Sequence, residues 1–147
     1  GESTVSAFLN VAEVNPEDLA QYEVIIAGIP TWYSGELQDD WITLYSRLDD
    51  IDLSGSRIAV FGLGDASGYP LNFIDGAGII YEKLTSLGAQ GGFGFWPTDE
   101  YDFEESLARV NDSQFCALAI DEDNDSDLTA ERLAEWVEQL RTELQLT

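Results

Sequence analysis

Short apolar runs that alternate with amphipathic segments constrain the fold of this chain more than any other feature. The runs Val24–Gly28 and Arg57–Gly62 are rich in β-branched and aromatic residues, and glycine or proline follows closely. After each run, apolar residues recur at helical spacing, within 37–48 and within 77–87. Strands separated by helices favour a parallel sheet that is covered on both faces. The pattern therefore predicts an α/β fold with strands buried on both sides.

The remaining segments continue this alternation. Thr4–Val11 and Gln90–Trp96 alternate in period two and predict strands, and Asn15–Asp18 predicts a short helical turn that begins with proline. Phe115–Ile120 predicts a further buried strand, and a last helix is expected to begin near Thr129. The side chains that this last helix is predicted to bury are Leu133, Val137, Leu140 and Leu144.

Charge and missing residue types exclude several classes of function. The chain has 29 acidic and 6 basic residues, a formal net charge of -23. Such a surface repels nucleic acid and anionic membranes and attracts basic protein patches, although a saline setting also favours it. The chain has no histidine and one cysteine, Cys116, in an apolar run. These counts exclude imidazole triads, iron–sulfur clusters and internal disulfides, and they predict a buried thiol in a cytoplasmic protein.

Clusters of acidic residues suggest metal-binding or catalytic sites. The residues found at the neighbouring positions disfavour both. Asp121–Asp127 resembles the front of an EF-hand loop, but Ser126 and Arg132 stand where that loop needs Gly and Glu. We expect instead an acidic loop in which Asp127 or Thr129 caps the last helix. Adjacent carboxylates elsewhere predict solvated faces, with no catalytic residue and no metal site. These pairs are Asp39–Asp40, Asp49–Asp50, Asp99–Glu100 and Glu104–Glu105.

Two loops that follow predicted strands form the candidate binding site. The loop 30–36 carries the adjacent aromatics Trp32 and Tyr33, and the loop 63–73 carries Tyr69 beside glycine. Ligands of parallel sheets bind beyond the carboxyl ends of the strands, and glycines let the backbone approach them closely. The loops predict a slot for a planar ligand, and the alternative is a set of aromatic side chains that merely cap the sheet.

The chain resembles the flavodoxins, specifically their long-chain group, over nearly its whole length. The matching blocks are Pro30-Thr31-Trp32, Gly35-Glu36-Leu37-Gln38, Trp41, Phe61-Gly62, Gly64-Asp65, Gly68-Tyr69, Trp96-Pro97, Tyr101-Asp102-Phe103 and Leu118–Asn124. The resemblance implies one domain over 1–147 with a flavodoxin-like doubly wound parallel sheet, in the order 2-1-3-4-5. It also implies that 98–114 is the insertion that splits the last strand in long-chain members.

The resemblance further implies an FMN-dependent, low-potential one-electron carrier rather than an enzyme. Trp32 and Tyr69 would stack on the two faces of the flavin ring, and Asn72 would lie near the ribityl chain. Backbone groups of four residues would lie at the polar edge of the ring: Thr31, Tyr33, Gly64 and Asp65. The turn Tyr33-Ser34-Gly35 corresponds to a peptide that flips with the redox state. Aromatic stacking and dense carboxylates disfavour an anionic reduced ring, which lowers its potential.

The implied partners are basic redox proteins, such as a flavin reductase or a photosynthetic or metabolic donor or acceptor, and a monomer is expected. The sequence departs from the family at its start, because it matches only from about the second strand onward. The first, central strand and the phosphate-binding loop are absent from these residues. We therefore expect weak or absent FMN binding by this segment. The alternative function is a non-redox acidic α/β interaction module that has lost FMN binding.

Overall fold

The computed structural model describes Val5 and residues 7–32 and 35–146, with the side chain of Trp32 outside the described part. Helices and strands alternate along the chain, which confirms the predicted α/β fold. The helices are α1 (Pro16–Leu19), α2 (Asp39–Ser46), α3 (Asp75–Ser86), α4 (Glu122–Asp125) and α5 (Thr129–Glu143), with a 3₁₀ turn at Ser126–Leu128. The strands are β1 (Val24–Trp32), β2 (Glu36–Leu37), β3 (Arg57–Leu63), β4 (Trp96–Pro97), β5 (Arg109–Asn111), β6 (Gln114–Phe115) and β7 (Ala117–Ile120).

The main sheet has the strand order β2-β1-β3-β7. Strand β1 runs parallel to β3 from the pair Val24 and Arg57 to the pair Pro30 and Leu63, and β3 runs parallel to β7. The short strand β2 turns back antiparallel on the last two residues of β1. Because β1 and β3 end side by side, the loops that follow them leave from the same edge of the sheet.

Two separate segments lie along the free side of β3. Gln90 makes an isolated parallel bridge with Arg57 at the start of β3, and β7 pairs with Val60–Leu63 at its end. Between them, β4, β6 and β5 form a small antiparallel sheet. Its link to the main sheet includes Tyr101, whose hydroxyl donates to the carbonyl of Ala119 at 2.6 Å and accepts from the Trp96 indole at 3.0 Å.

Helices cover the main sheet from both sides over β3. Helix α3 packs closely because Gly62 faces Ala77, where an added Cβ would lie 2.7 Å from the Ala77 methyl carbon. On the other face, Trp136 of α5 meets Phe61 edge to face at 5.9 Å between ring centroids. The predicted burial of Cys116 is confirmed, and burial raises the pKa of its thiol to about 12. None of the helices in the described part of the chain is long and apolar enough to cross a membrane.

Two segments predicted as strands, Thr4–Val11 and Gln90–Trp96, do not form continuous strands in the described residues. Val5 and 7–10 have no regular structure and 11–13 form a turn. Between Gln90 and Trp96, the backbone turns at Gly92 and Gly94, whose φ angles are +92° and +70°. This left-handed backbone interrupts a strand, and glycine adopts it without steric cost. The aromatic alternation of this segment therefore reflects side chains that pack from an irregular loop.

Two predictions of burial, one of helix extent and one of helix capping are also wrong. Ile26 is 48% exposed. On the face of β1 that Ile26 shares with Gly28, the Phe61 ring lies over Gly28. Val137 is 43% exposed, and Trp136 occupies the buried stripe of α5 in its place. Leu37 belongs to β2 rather than to the predicted helix. Neither Asp127 nor Thr129 forms the expected cap of α5, because Leu128 holds the cap position and makes no side-chain bond there.

Candidate functional site

The loop that follows β1 rests on the first turn of α3. The Thr31 hydroxyl accepts a hydrogen bond from the backbone N–H of Gly76 at 3.1 Å. Gly35 has φ +92°, and an added Cβ there would lie 2.7 Å from Asp75 Oδ2 and 3.0 Å from Asn72 Nδ2. A side chain at Gly35 would therefore be strained and would also clash with Asp75. The structure thus brings Gly35 and Asn72 together at the carboxyl edge of the sheet.

The loop that follows β3 is held by the side chain of Asp65. This carboxylate accepts hydrogen bonds from the Gly68 N–H at 2.8 Å and from the Asn124 amide at 2.9 Å. The Tyr69 N–H donates to the Asp65 carbonyl at 2.9 Å, and the Tyr69 side chain stays 45% exposed. An ordered aromatic ring that is half exposed offers a face to a planar ligand.

Hydrogen bonding lowers the pKa of Asp65, with the Gly68 N–H as the main cause and the Asn124 amide as the second. A carboxyl whose pKa is lower in the folded state stabilises the fold above its unfolded value of about 3.9. That contribution is lost as the pH falls through the folded pKa, below about 3.9. The integrity of this loop is therefore expected to depend on pH only in the acid range.

We expect the Gly68 amide chemical shift to titrate with a midpoint below about 3.9, because the ionised Asp65 carboxylate accepts this hydrogen bond. Two-dimensional NMR between pH 2 and 6 measures the midpoint. Asp65→Asn is expected to abolish the titration. Asp102→Asn, at an exposed carboxylate, is the control and should leave it unchanged. A midpoint at or above 4 would contradict the assignment.

Asp121 supports the same loop from beneath. Asp121 is 1% exposed, and its carboxylate accepts hydrogen bonds from the Ala66 N–H at 3.0 Å and the Asn124 N–H at 3.0 Å. The Asn124 amide thus bridges Asp121 and Asp65. The sequence interpretation did not select Asp121 for this role. Asp121 directly follows the last buried strand, so the rule that selected the other two loops also points to it.

Three carboxylates at this edge lie close enough together to be considered as a cation site. Oxygen atoms of Asp65, Asp121 and Asp123 lie within 4.8 Å of one another. Two of the three already accept N–H donors, from Gly68, Ala66 and Asn124. The EF-hand-like run itself forms α4 and the 3₁₀ turn, and Asp121 caps α4 by accepting from the Asn124 N–H. Asp65 and Asp121 therefore serve as hydrogen-bond acceptors that hold the loop after β3 in place.

The turn between Asn72 and Asp75 contains one residue with a strained backbone. Ile74 is fully buried and has φ +47°, a left-handed conformation that costs a branched side chain about 1–2 kcal/mol. The Asn72 N–H donates to the Tyr69 carbonyl at 3.2 Å, and its amide donates to Asp75 Oδ2 at 3.1 Å. Asn72 is therefore linked both to Tyr69 and to the contact at Gly35.

Six of the nine predicted cofactor-binding residues come to this one edge of the sheet: Thr31, Gly35, Gly64, Asp65, Tyr69 and Asn72. Trp32 ends β1, with its backbone paired to Glu36, while Tyr33 and Ser34 lie outside the described residues. The glycine-containing turns and the open face of Tyr69 fit a planar, aromatic group. Sequence reasoning missed Asp75 and Asp121, which hold these turns but have no ligand-binding motif of their own.

The comparisons with known proteins all find similarity to flavodoxins. The family model described as Flavodoxin matches residues 1–136. A flavodoxin of Picosynechococcus sp. is 51% identical over 141 residues, which cover 96% of this chain and 82% of the relative. Flavodoxin 2 of Escherichia coli is 41% identical, covering 92% of this chain and 78% of the relative. The crystal structure of Fusobacterium nucleatum flavodoxin bound to flavin mononucleotide superposes with a TM-score of 0.84 at 29% identity, covering 92% and 79% of the two chains.

Proposed function

Because this chain belongs to the flavodoxin family, we propose that it carries single electrons between redox proteins on a non-covalently bound FMN. The observation that carries the proposal is the meeting of the two loops at the carboxyl edge of β1 and β3. Gly35 contacts Asn72 there, beside the half-exposed ring of Tyr69. When bound, FMN supplies the one-electron redox chemistry.

The protein's own residues would hold and tune that group. We propose that Trp32 and Tyr69 cover the two faces of the ring, and that the backbone of Thr31, Tyr33, Gly64 and Asp65 contacts its polar edge. Ser34 and Gly35 complete the turn beside it, and Asn72 lies near the ribityl chain. The support is the placement of the described members, and the fit of an aromatic ring to the open face of Tyr69.

The strength of FMN binding is a separate part of the proposal. The 147 residues contain no Thr-x-Thr-Gly phosphate loop. Charge-assisted hydrogen bonds to a phosphate contribute about 1.5–3 kcal/mol each, so several of them make up much of a tight affinity. We therefore propose that these 147 residues by themselves bind FMN weakly, through their contacts with the ring. Submicromolar binding would contradict this.

We expect Tyr69→Ala to raise the dissociation constant for FMN about tenfold, because one stacked aromatic face is lost. Quenching of flavin fluorescence during a titration up to millimolar FMN measures the constant. Tyr22→Ala is the matched control, because Tyr22 precedes β1 at the opposite edge of the sheet. Equal constants for Tyr69→Ala and the unaltered chain would place the ring elsewhere. No binding at millimolar FMN would favour the non-redox interaction module.

We propose further that the partners are basic redox proteins and that the protein works as a monomer in the cytoplasm. The formal net charge of -23 supports fast, electrostatically steered encounters with a basic surface. With FMN bound and photoreduced, electron transfer to a basic c-type cytochrome is expected to slow at least tenfold between about 10 and 300 mM salt. Stopped-flow absorbance measures the rate. A rate independent of salt, with folding that requires salt, would favour adaptation to a saline setting.

A further inference from the structure

Asp75 joins three segments that are distant in the sequence. It is the first residue of α3, and its side chain is 4% exposed. Oδ1 accepts a hydrogen bond from the backbone N–H of Leu107 at 2.7 Å. Oδ2 accepts one from the amide of Asn72 at 3.1 Å. One buried carboxylate thus links the segment 98–114 to the turn that precedes α3.

The same carboxylate contacts the turn that follows β1. A Cβ added at Gly35 would lie 2.7 Å from Asp75 Oδ2, so the Gly35 backbone packs directly against this oxygen. The next residue of α3, Gly76, donates its N–H to the Thr31 hydroxyl at 3.1 Å. The first turn of α3 therefore supports both ends of the loop that carries Trp32, and Asp75 lies beneath its glycine.

The segment 98–114 reaches this point through a short run of hydrogen bonds. The N–H groups of Glu104 and Glu105 donate to the Pro70 carbonyl at 2.8 and 2.9 Å. The Phe73 N–H donates to the Glu105 carbonyl at 3.3 Å, and the Ser106 hydroxyl donates to the Phe73 carbonyl. These bonds fasten the segment to the loop of Tyr69 and Asn72, and the bond from Leu107 to Asp75 ends the run.

The donors around Asp75 are neutral N–H groups. Among the described residues, no Lys or Arg nitrogen forms a salt bridge with this carboxylate. Its accepted hydrogen bonds fix the carboxylate in one orientation between Leu107 and Asn72.

We propose that Asp75 is a positioning residue through which the segment 98–114 holds Gly35 and Asn72 in the geometry that binds flavin. This inference rests on the proposed function. It assigns the segment a role inside the cofactor site, in addition to its place at the edge of the sheet. If Asp75 acts by accepting the hydrogen bond from Leu107, the single amide oxygen of asparagine substitutes for it in that bond. If Asp75 acts by its charge alone, asparagine does not substitute for it.

The experiment compares Asp75→Ala with Asp75→Asn. We expect Asp75→Ala to speed hydrogen exchange at the Leu107 amide at least tenfold in the chain without FMN, to move the Gly35 amide chemical shift, and to raise the FMN dissociation constant about tenfold. Asp75→Asn keeps one oxygen as an acceptor for Leu107, but its NH2 group faces the Asn72 amide, which must turn over to accept from it. We therefore expect Asp75→Asn to restore exchange at Leu107 to within about threefold of the unaltered chain and to restore FMN binding in part. Asp102→Asn, in the same segment but exposed, is the control.

A second variant disturbs the same contact without altering Asp75. An added Cβ at Gly78 would lie 2.5 Å from the Leu107 carbonyl oxygen, so Gly78→Ala displaces the segment from α3. We expect faster exchange at Leu107 and weaker FMN binding, although alanine favours the helix itself. This variant and Asp75→Asn keep the test valid if Asp75→Ala does not fold.

Three results would overturn the proposal. The first is an unchanged Gly35 amide chemical shift in Asp75→Ala, and the second is faster exchange at Leu107 with an unchanged FMN dissociation constant. The third is exchange at Leu107 that is as fast in Asp75→Asn as in Asp75→Ala, because the retained oxygen would then not hold the segment. If the unaltered chain binds no FMN, the proposed function fails, and the Gly35 amide chemical shift still decides whether Asp75 holds the turn.

Discussion

Phe73→Ala is expected to lower the free energy of unfolding by about 3–5 kcal/mol, the usual loss for a buried phenylalanine. Phe73 is fully buried, and its ring centroid lies 5.4 Å from that of Tyr101, 5.6 Å from Phe103 and 5.8 Å from Phe115. Two of these partners belong to the segment 98–114, so the cavity would open between that segment and the loops of the site. Urea denaturation, followed by circular dichroism, measures the change.

Phe8→Ala is the matched control for this loss. The Phe8 side chain is 91% exposed, so its removal is expected to change the unfolding free energy by less than about 0.5 kcal/mol. A loss below 1.5 kcal/mol for Phe73→Ala would contradict a packed aromatic cluster at this place. A large loss for Phe8→Ala would show that this ring is covered in solution.

Asp121→Ala is expected to cost about 2–4 kcal/mol, because the buried N–H of Ala66 loses its acceptor at roughly 1–3 kcal/mol and α4 loses its N-cap at about 1 kcal/mol. The cap is the hydrogen bond from the N–H of Asn124 to Asp121. Ala66 lies in the loop of Tyr69, so we also expect faster exchange at the Gly68 amide. Thermal or urea unfolding and hydrogen exchange measure the two effects.

Asp123→Ala is the control for Asp121, because it removes an exposed carboxylate from the same cluster. We expect it to leave the unfolding free energy within about 0.5 kcal/mol. Asp121→Asn should recover part of the loss, since its amide keeps one oxygen for these donors. Equal effects of Asp121→Ala and Asp123→Ala would mean that the repulsion among the carboxylates, and not the hydrogen bonds, decides the stability.

The sequence predicted the elements that periodicity and glycine specify directly. Strand β3 and helix α3 lie where their apolar patterns placed them, and α3 ends before Gly88, whose φ of +105° only glycine adopts readily. The position of the site followed from the same pattern, because the loops after β1 and β3 leave a parallel sheet at one edge. Local signals were sufficient for these features.

The features that the sequence did not predict depend on contacts between distant segments. Helix α5 buries Trp136 rather than Val137, because the Trp136 indole donates to the Gly94 carbonyl at 2.8 Å. That carbonyl is placed by a left-handed glycine in a segment whose alternation resembles a strand. Periodicity within α5 contains no information on a loop more than 40 residues away, so its rotation needed the tertiary structure.

The supporting residues of the site were missed for a similar reason. Asp75 and Asp121 are acidic residues in a chain that has 29 of them, and composition favours a solvated position for each. Only the structure shows that both are buried and accept N–H groups from distant loops. Position after a strand was a usable signal for Asp121, whereas Asp75 had none.

The division of the outer side of β3 between two segments has a consequence for synthesis on the ribosome. Val60 pairs with Ala117, so about 57 residues must be translated before this half of the β3 edge is covered, roughly 3–11 s at 5–20 residues per second. During that interval the nascent chain presents an open apolar strand edge, which is a template for aggregation. The carboxylates translated in the same interval oppose contact between such chains by charge repulsion.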